Sequence, residues 1–377
     1  MFEALYVHIP FCHSRCRYCD FFSFGSQELV LQNVYADLVC REISLWQGKG
    51  VLTTLYLGGG TPTVLPVEQL CFIFQAAQKY LALSPAAEIT VEANPATVDA
   101  AYLRRLWQGG CNPLSLGVQS FQESELESMG RLHSPHDVVT TITEARQAGF
   151  ENISVDLIYG LPGQTLETWA DTLDKAIALA TPHISLYSLG LDNHSPWGKA
   201  YAAGNLSIPD EDLVADMLEL AIAKLNAAGI FQYEIANFSR PGYESRHNSS
   251  YWRRKNYLGV GLAAASCWKN CRWQNTTDAV TWQNALLAGE KPPADQETLS
   301  FEDMVAEKVF LGLRLLSGID IAACNAELNC DIRKIYHGIW QDLVEKGLLQ
   351  ETATGYALTK RGIFLGNQVF AAFLPEK

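Results

Sequence analysis

Two features of the first half of this 377-residue chain predict an α/β fold. Short apolar runs alternate with longer amphipathic segments at least six times, the pattern of repeated right-handed βα units feeding a largely parallel sheet. Polar and glycine-rich residues gather just after the apolar runs, at the carboxyl edge of such a sheet, where parallel α/β folds place their ligands. The clear units are too few for a complete eight-fold barrel.

The units read in order. A strand is predicted over 4–9, stopped by Pro10, and a helix over 27–47, where Leu31, Val34, Leu38, Ile43, Leu45 and Trp46 recur at mostly three-to-four spacing. A strand over 52–57 runs into Gly58-Gly59-Gly60-Thr61-Pro62-Thr63, and a helix follows over 65–81. Strands over 88–91, 113–118, 153–158 and 184–189 alternate with helices over 99–108, 134–147 and 165–180; Gly149 is placed to cap the helix before it.

From 210 onward the pattern loosens. A helix over 210–228 carries Leu213, Met217 and Leu220 on one stripe and ends at Gly229, with a strand over 230–235 after it. Residues 240–256 are polar and aromatic without a period, 257–265 is a small-residue stretch, and 271–277 reads as a loop or edge strand. Lys291-Pro292-Pro293 reads as a stiff linker. Helices over 301–316, 331–346 and 359–374, with a short hairpin turning at Gly355, predict a small winged-helix-like domain. The predicted division is a core over 1–238, a motif-bearing region and linker over 239–295, and the winged-helix-like domain over 296–377.

Composition narrows the function classes. A net charge of −13 disfavours a nucleic-acid partner, because backbone binding relies on lysine and arginine neutralising phosphates. The C-terminal domain is therefore expected to dock or cover rather than bind DNA. Ten cysteines are too sparse for a disulfide scaffold. With no signal peptide visible before Cys12, they suggest a reducing, cytoplasmic setting. No apolar run reaches transmembrane length, so an integral membrane protein is not expected, while peripheral contact with a membrane stays open.

The densest chemistry is Cys12-His-Ser-Arg-Cys16-Arg-Tyr18-Cys19, directly after the first strand. Three soft thiolates within eight residues can face one soft metal centre. An iron–sulfur cluster held by three thiolates keeps one iron free for an outside ligand. Zinc with His8 or His13 as fourth ligand is the competing reading, and packing cysteines a third. The glycine run at 58–60 lets a backbone approach a ligand or simply makes a tight strand–helix turn, and it lacks the lysine of a phosphate-binding loop. Glu92, Gln119, Arg131 and Asp156 each fall at or shortly after a predicted strand end, where they reach the open edge of the sheet or serve as caps and salt bridges. His247-Asn248-Ser-Ser-Tyr251-Trp252 offers a haem ligand flanked by rings, or a polar loop over the barrel opening.

Taken together these stretches resemble the radical S-adenosylmethionine (SAM) superfamily, in the branch of oxygen-independent coproporphyrinogen III oxidase-like proteins, over nearly the whole chain. The resemblance implies a partial (β/α)6 barrel open on one side. It implies a [4Fe-4S] cluster on Cys12, Cys16 and Cys19, with SAM on the remaining iron. Residues matching SAM-contacting positions of that branch are Tyr6, Tyr18, Gly59, Gly60, Thr61, Glu92, Gln119, Arg131 and Asp156. The HNxxYW pattern at 247–252 is similar to the haem-chaperone branch, which implies haem as cargo, His247 as first candidate for haem contact, and a haem-accepting protein, free or membrane-bound, as partner. The oxidase itself carries a fourth cysteine where this chain has Phe21, and a long extension where eleven residues precede Cys12. Both differences point away from porphyrinogen decarboxylation, which stands as the alternative activity. One departure from the chaperone pattern is Ala263-Ala264-Ala265-Ser266, where the branch usually carries a histidine.

Overall fold

The computed structural model describes residues 1–24 and 29–375. Its framework is β1 (Phe2–Ile9), α1 (Leu29–Ser44), β2 (Gly50–Gly59), α2 (Val67–Leu81), β3 (Leu83–Ala93), α3 (Ala100–Gln108), β4 (Leu114–Gln119), α4 (Glu123–Met129), α5 (Pro135–Ala148), β5 (Ile153–Tyr159), α6 (Leu166–Ala178) and β6 (His183–Ser188). Strands β1 to β6 are parallel neighbours in chain order, which is the predicted α/β class and partial barrel. The predicted start of the first helix at 27 lies outside the described residues.

Successive side chains on a strand point to opposite faces, and here the two faces differ in kind. Leu5, Val7, Leu55, Leu57, Val91, Leu116, Val155 and Leu157 are fully buried in the core shared with the surrounding helices. The intervening positions are polar and bond to one another across the strands: Tyr56 to Glu92, Ser115 to Asp156, Ser154 to His183. The barrel therefore has an apolar coat and a polar lumen. Helix ends follow local chemistry. Ser134 and Asp137 form a reciprocal capping box at the start of α5, and Gly149 closes it at φ +114°, a conformation that favours glycine.

Beyond β6 the chain adds α7 (Pro196–Ala202), α8 (Glu211–Ala227), β7 (Phe231–Gln232), β8 (Asn237–Ser239), α9 (Arg246–Trp252), β9 (Tyr257–Val260), β10 (Ala265–Trp268), β11 (Cys271–Asn275), α10 (Ala279–Leu287) and β12 (Ala294–Thr298). The sheet grows to the order β12-β11-β10-β9-β1-β2-β3-β4-β5-β6-β8-β7, with its two ends unjoined. Of the strand expected over 230–235 only β7 forms, and the pairing resumes beyond that range at β8. Between them the buried Glu234 carboxylate accepts from Ala236 N and from the Asn237 amide. The small-residue stretch at 257–265 supplies β9, parallel to β1, because Gly259 leaves room for the Ala265 carbonyl behind it. The segment at 271–277, expected as a loop or edge, contributes β11, which pairs on both sides.

The last part comprises α11 (Phe301–Gly312), β13 (Ile319–Asp320), α12 (Ile321–Leu328), α13 (Ile332–Ile335), α14 (His337–Glu345), β14 (Leu349–Glu351), β15 (Gly355–Leu358), α15 (Lys360–Phe364) and α16 (Gly366–Ala371). It has its own sheet, β13-β15-β14, and its own core, in which Trp340 stacks on Tyr356 at 4.6 Å. The helices expected over 331–346 and 359–374 each break once, at Tyr336 and Leu365. Glu307 on α11 ties this part to the barrel through Arg254 at 3.0 Å and Arg272 at 2.5 Å. Among the described residues no helix is long and apolar enough to cross a membrane.

Candidate functional site

At the carboxyl ends of the parallel strands lies a cavity of about 410 Å³. Cys12, Cys16, Tyr18, Cys19, Gly59, Gly60, Thr61, Glu92, Gln119, Arg131 and Asp156 all line it. Eleven of the thirteen residues singled out in the sequence thus meet at one place; Tyr6 and His247 do not line it.

The cysteine loop is held at both ends. Phe24 N donates to Pro10 O and Cys12 N to Phe24 O, which closes the loop base; Arg17 N reaches Met129 O and Trp197 N reaches Arg17 O. Tyr18 is braced on Trp197, ring centroids 6.2 Å apart. Burial pushes the Cys12 thiol up, and the Cys19 thiol up to about 11. Thiols lose their protons on taking a metal. Among the described residues no group of three or more His, Cys, Asp or Glu is packed around a single ion position.

The glycine run lies against the start of that loop. Gly60 N donates to Ile9 O and Thr61 N to Phe11 O, and a side chain at Gly60 would collide with both carbonyls. Gly59 has φ +110°, and a Cβ there would fall 2.4 Å from the His8 ring. The Thr61 hydroxyl sits 3.7 Å from Cys12 Sγ.

Three ionisable groups define the electrostatics. Arg131 donates from Nη1 to Cys16 Sγ at 3.5 Å and from Nη2 to Gly117 O, while its Nε is buried without a partner. Glu92 accepts from the Tyr56 hydroxyl at 2.6 Å and from Gly59 N at 3.2 Å. Burial, with Asp156 nearby, pushes its carboxyl up to about 7. Asp156 accepts from Ser115 at 2.8 Å and Ser154 at 3.2 Å, and burial raises it too. Gln119 stands at φ +69° where β4 shifts register against β5, a strained turn that carries its side chain to the cavity.

Tyr6 lies deeper in the lumen. It bonds His8 Nδ1 at 2.9 Å and stacks on Tyr56. His247 is fully enclosed near the opposite end of the barrel. Its Nδ1 bonds the Thr54 hydroxyl and its Nε2 the Tyr251 hydroxyl, both at 2.8 Å, and its ring stacks on Tyr56 at 4.9 Å. Burial drives its pKa down to about 3. A haem iron would reach it only after one of these bonds and the packing around it gave way.

Sequence reasoning passed over the lumen residues Tyr56, Ser115, Ser154, His183 and Tyr187. The signal was present: polar residues recur at every second position of the strands, as in Glu88, Thr90 and Glu92. His133 was also passed over as more than a neighbour of Arg131; its ring bridges Asn94 Oδ1 and Val118 O, each at 3.0 Å, locking β3 to β4 beneath Arg131.

With this geometry in hand, the chain can be set beside known proteins. Residues 6–176 match the model of the radical SAM superfamily, and 299–365 match the HemN C-terminal domain. A protein of Bacillus subtilis named heme chaperone HemW is 36% identical over 99% of this chain and 100% of its own length. Its namesake in Escherichia coli is 36% identical over 69% of each chain. The solved structure of the E. coli coproporphyrinogen III oxidase HemN, described as a radical SAM enzyme, superposes with a TM-score of 0.84 over 99% of this chain and 90% of that one; at 24% identity this likeness concerns the fold. The chain belongs to the HemW family, in the HemN/HemW-like branch of the radical SAM superfamily.

Proposed function

We propose that this protein is a haem chaperone: it binds haem, a [4Fe-4S] cluster and SAM, and passes haem to an acceptor protein in the cytoplasm or at a membrane face. The observation that carries the reading is the cavity that gathers the three cysteines with Arg131, Glu92 and Asp156, in a chain matched end to end by a relative named for haem chaperoning.

The donor set suits the cluster and its cation. Cys12, Cys16 and Cys19 would each hold one iron, leaving the fourth to SAM. The unpaired Arg131 Nε and the Arg131–Cys16 bond offer positive charge beside thiolates. Glu92 and Asp156 offer negative charge to an ammonium or sulfonium group, and the open backbone at Gly59 and Gly60 gives close approach. The bound cofactors would supply one-electron chemistry. The chain's own residues orient the ligand, set the charge around it and shield it from bulk water. Phe21 stands at the position of the oxidase's fourth cysteine and is well exposed at the cavity rim, which supports chaperoning over decarboxylation.

The test is anaerobic protein with reconstituted cluster, titrated with haem and assayed in parallel with coproporphyrinogen III. Stoichiometric haem binding, transfer to a haem-requiring acceptor and no porphyrinogen turnover are expected. Sustained turnover to protoporphyrinogen IX would replace this reading with the oxidase.

A further inference from the structure

The barrel lumen holds a hydrogen-bonded chain that the cavity residues alone do not explain. Ser154 Oγ lies 3.2 Å from Asp156 Oδ1 and 2.8 Å from His183 Nδ1. His183 Nε2 lies 2.9 Å from the Tyr233 hydroxyl, which also accepts from Ser245 N at 3.1 Å. Asp156 lines the upper cavity. Tyr233 lines a separate groove of about 710 Å³, on the side of the barrel where α9 and the segment after α11 meet. Between the two, Ser154, Asp156 and His183 border a small void of about 30 Å³, room for a single water. Thr90 Oγ1, buried and without a partner, borders the same void.

We infer that Asp156, Ser154, His183 and Tyr233 form a proton exit from the upper cavity to the groove at the far end of the barrel. The inference rests on the reading that a cation, SAM, occupies the upper cavity. A cation placed beside Glu92 and Asp156 favours their charged forms, so its arrival releases a proton. The cysteine loop lines the same cavity, so a ligand bound there would stand between Asp156 and its opening.

The transfer balances as a relay. With Asp156 protonated its carboxyl donates to Ser154 Oγ and the Ser154 hydroxyl turns to His183; the carboxyl then gives its proton to Ser154 Oγ, whose own proton passes to His183 Nδ1. The proton on His183 Nε2 passes to the Tyr233 oxygen, and the Tyr233 proton passes to water in the groove. Each member ends with the charge it began with, apart from Asp156, which becomes carboxylate. Hydroxyl rotation and the imidazole tautomer shift restore the starting order. Each intermediate group both donates and accepts, as a relay requires. Burial keeps His183 neutral, down to about 4, and holds the Tyr233 hydroxyl protonated.

The charged groups facing this column are Arg131 and Glu92 at its upper end. At its lower end they are Glu88, Glu234, Glu244, Arg246 and Arg253. Tyr56, Tyr187 and Tyr243 border the void between them. Desolvation of their hydroxyls holds the half-buried Tyr56 and the partly exposed Tyr187 neutral.

The test mixes cluster-loaded protein with SAM in weakly buffered solution containing a pH indicator, at a series of acidic pH values, because burial raises the Asp156 carboxyl. Ligand arrival is read from the cluster absorbance and proton release from the dye. In the unaltered protein the two are expected together. In Tyr233→Phe, which keeps the ring, the proton is expected to lag by about tenfold or more, with SAM affinity unchanged. His183→Gln, whose amide cannot relay, is expected to lag likewise, and folding of both variants is checked by circular dichroism. Proton release that keeps pace with the ligand in both variants overturns the exit route, as does absence of any released proton. An unchanged cluster spectrum on adding SAM is a different failure: it removes the SAM reading, and the need for an exit with it.

Discussion

The two ends of the barrel are built from the same kind of residue and spend it differently. At the carboxyl end, polar groups are left for something else: Arg131 Nε has no partner, Gln119 is held at a strained φ, and three cysteines line one cavity. Near the opposite end, α9 spends its first backbone amides and His247 on its surroundings, while the buried Trp252 Nε1 has no partner. Glu88 accepts from Arg246 N and His247 N, each at 2.9 Å, at the start of α9, where the exposed backbone amides favour an acceptor. His247 then uses both ring nitrogens on Thr54 and Tyr251. The motif histidine at this end has both ring bonds made, whereas the guanidinium Nε at the carboxyl end has none.

Replacing a residue at each end sharpens this contrast. Cys16→Ala is expected to abolish the iron–sulfur absorbance of anaerobically reconstituted protein while leaving far-UV dichroism intact. An unaltered spectrum would remove Cys16 from the ligand set. His247→Ala is expected to do the reverse. It should cost about 2–4 kcal/mol in denaturant unfolding, because it leaves a void and strips partners from two enclosed hydroxyls. The haem titration of the folded fraction should not change. A clear loss of haem affinity without loss of stability would return His247 to a ligand role.

The two ends also differ in how much of them could be read from sequence. The cysteine loop and the Gly58–Thr63 run are local motifs, and the family resemblance they carry implied the shared site at which both now lie. The central strands were legible because one face of each is continuously apolar. Helix α9 was not, since its residues face a polar lumen and leave no apolar stripe. Strands β10 and β12 were missed for a related reason. β12 is exposed at every position, so it carries no burial pattern and is defined by its pairing to β11. His247 drew attention as a haem ligand because a histidine beside aromatic residues has that chemistry. Its true surroundings come from Thr54, 193 positions away in sequence.

A smaller effect separates carboxylates that serve the two purposes. Glu42 and Glu92 are both pushed up to about 7, mainly by burial. Glu42 is fully enclosed and accepts from Gly261 N, Asn275 and Trp282, fastening α1 to the residue after β9, to β11 and to α10. Glu92 is half-buried with its carboxyl toward the cavity. A carboxyl whose folded value is raised holds its proton in the folded state where the unfolded chain has lost it, so stability falls as pH rises from about 4.5 to about 7. Each group contributes at most about 3 kcal/mol across that interval, and Glu92 less, because cavity water reaches it. Glu92→Gln is expected to flatten the fall by up to one proton's share. A slope identical to that of the unaltered protein would mean that Glu92 is already ionised in the folded state.

Arg131 tests the contrast most finely, because it belongs to both descriptions. Its bonds to Cys16 and Gly117 tie the cysteine loop to β4, as a bracing residue would, yet its Nε is unspent, as a site residue's would be. Removing a charged hydrogen-bonding group from a ligand site costs about 1.5 kcal/mol or somewhat more, roughly tenfold in affinity. Arg131→Met keeps much of the side chain's bulk and removes the charge. If the guanidinium mainly serves the ligand, SAM affinity should fall about tenfold, with cluster content and melting temperature near those of the unaltered protein, and Arg131→Lys should restore part of it. If it mainly braces the loop, melting temperature and cluster retention fall first, and the SAM affinity of the clusters that remain is unchanged. Because Lys lacks the planar fork that reaches Cys16 and Gly117 together, it rescues charge better than bracing, so the order of the three proteins in each measurement assigns the role.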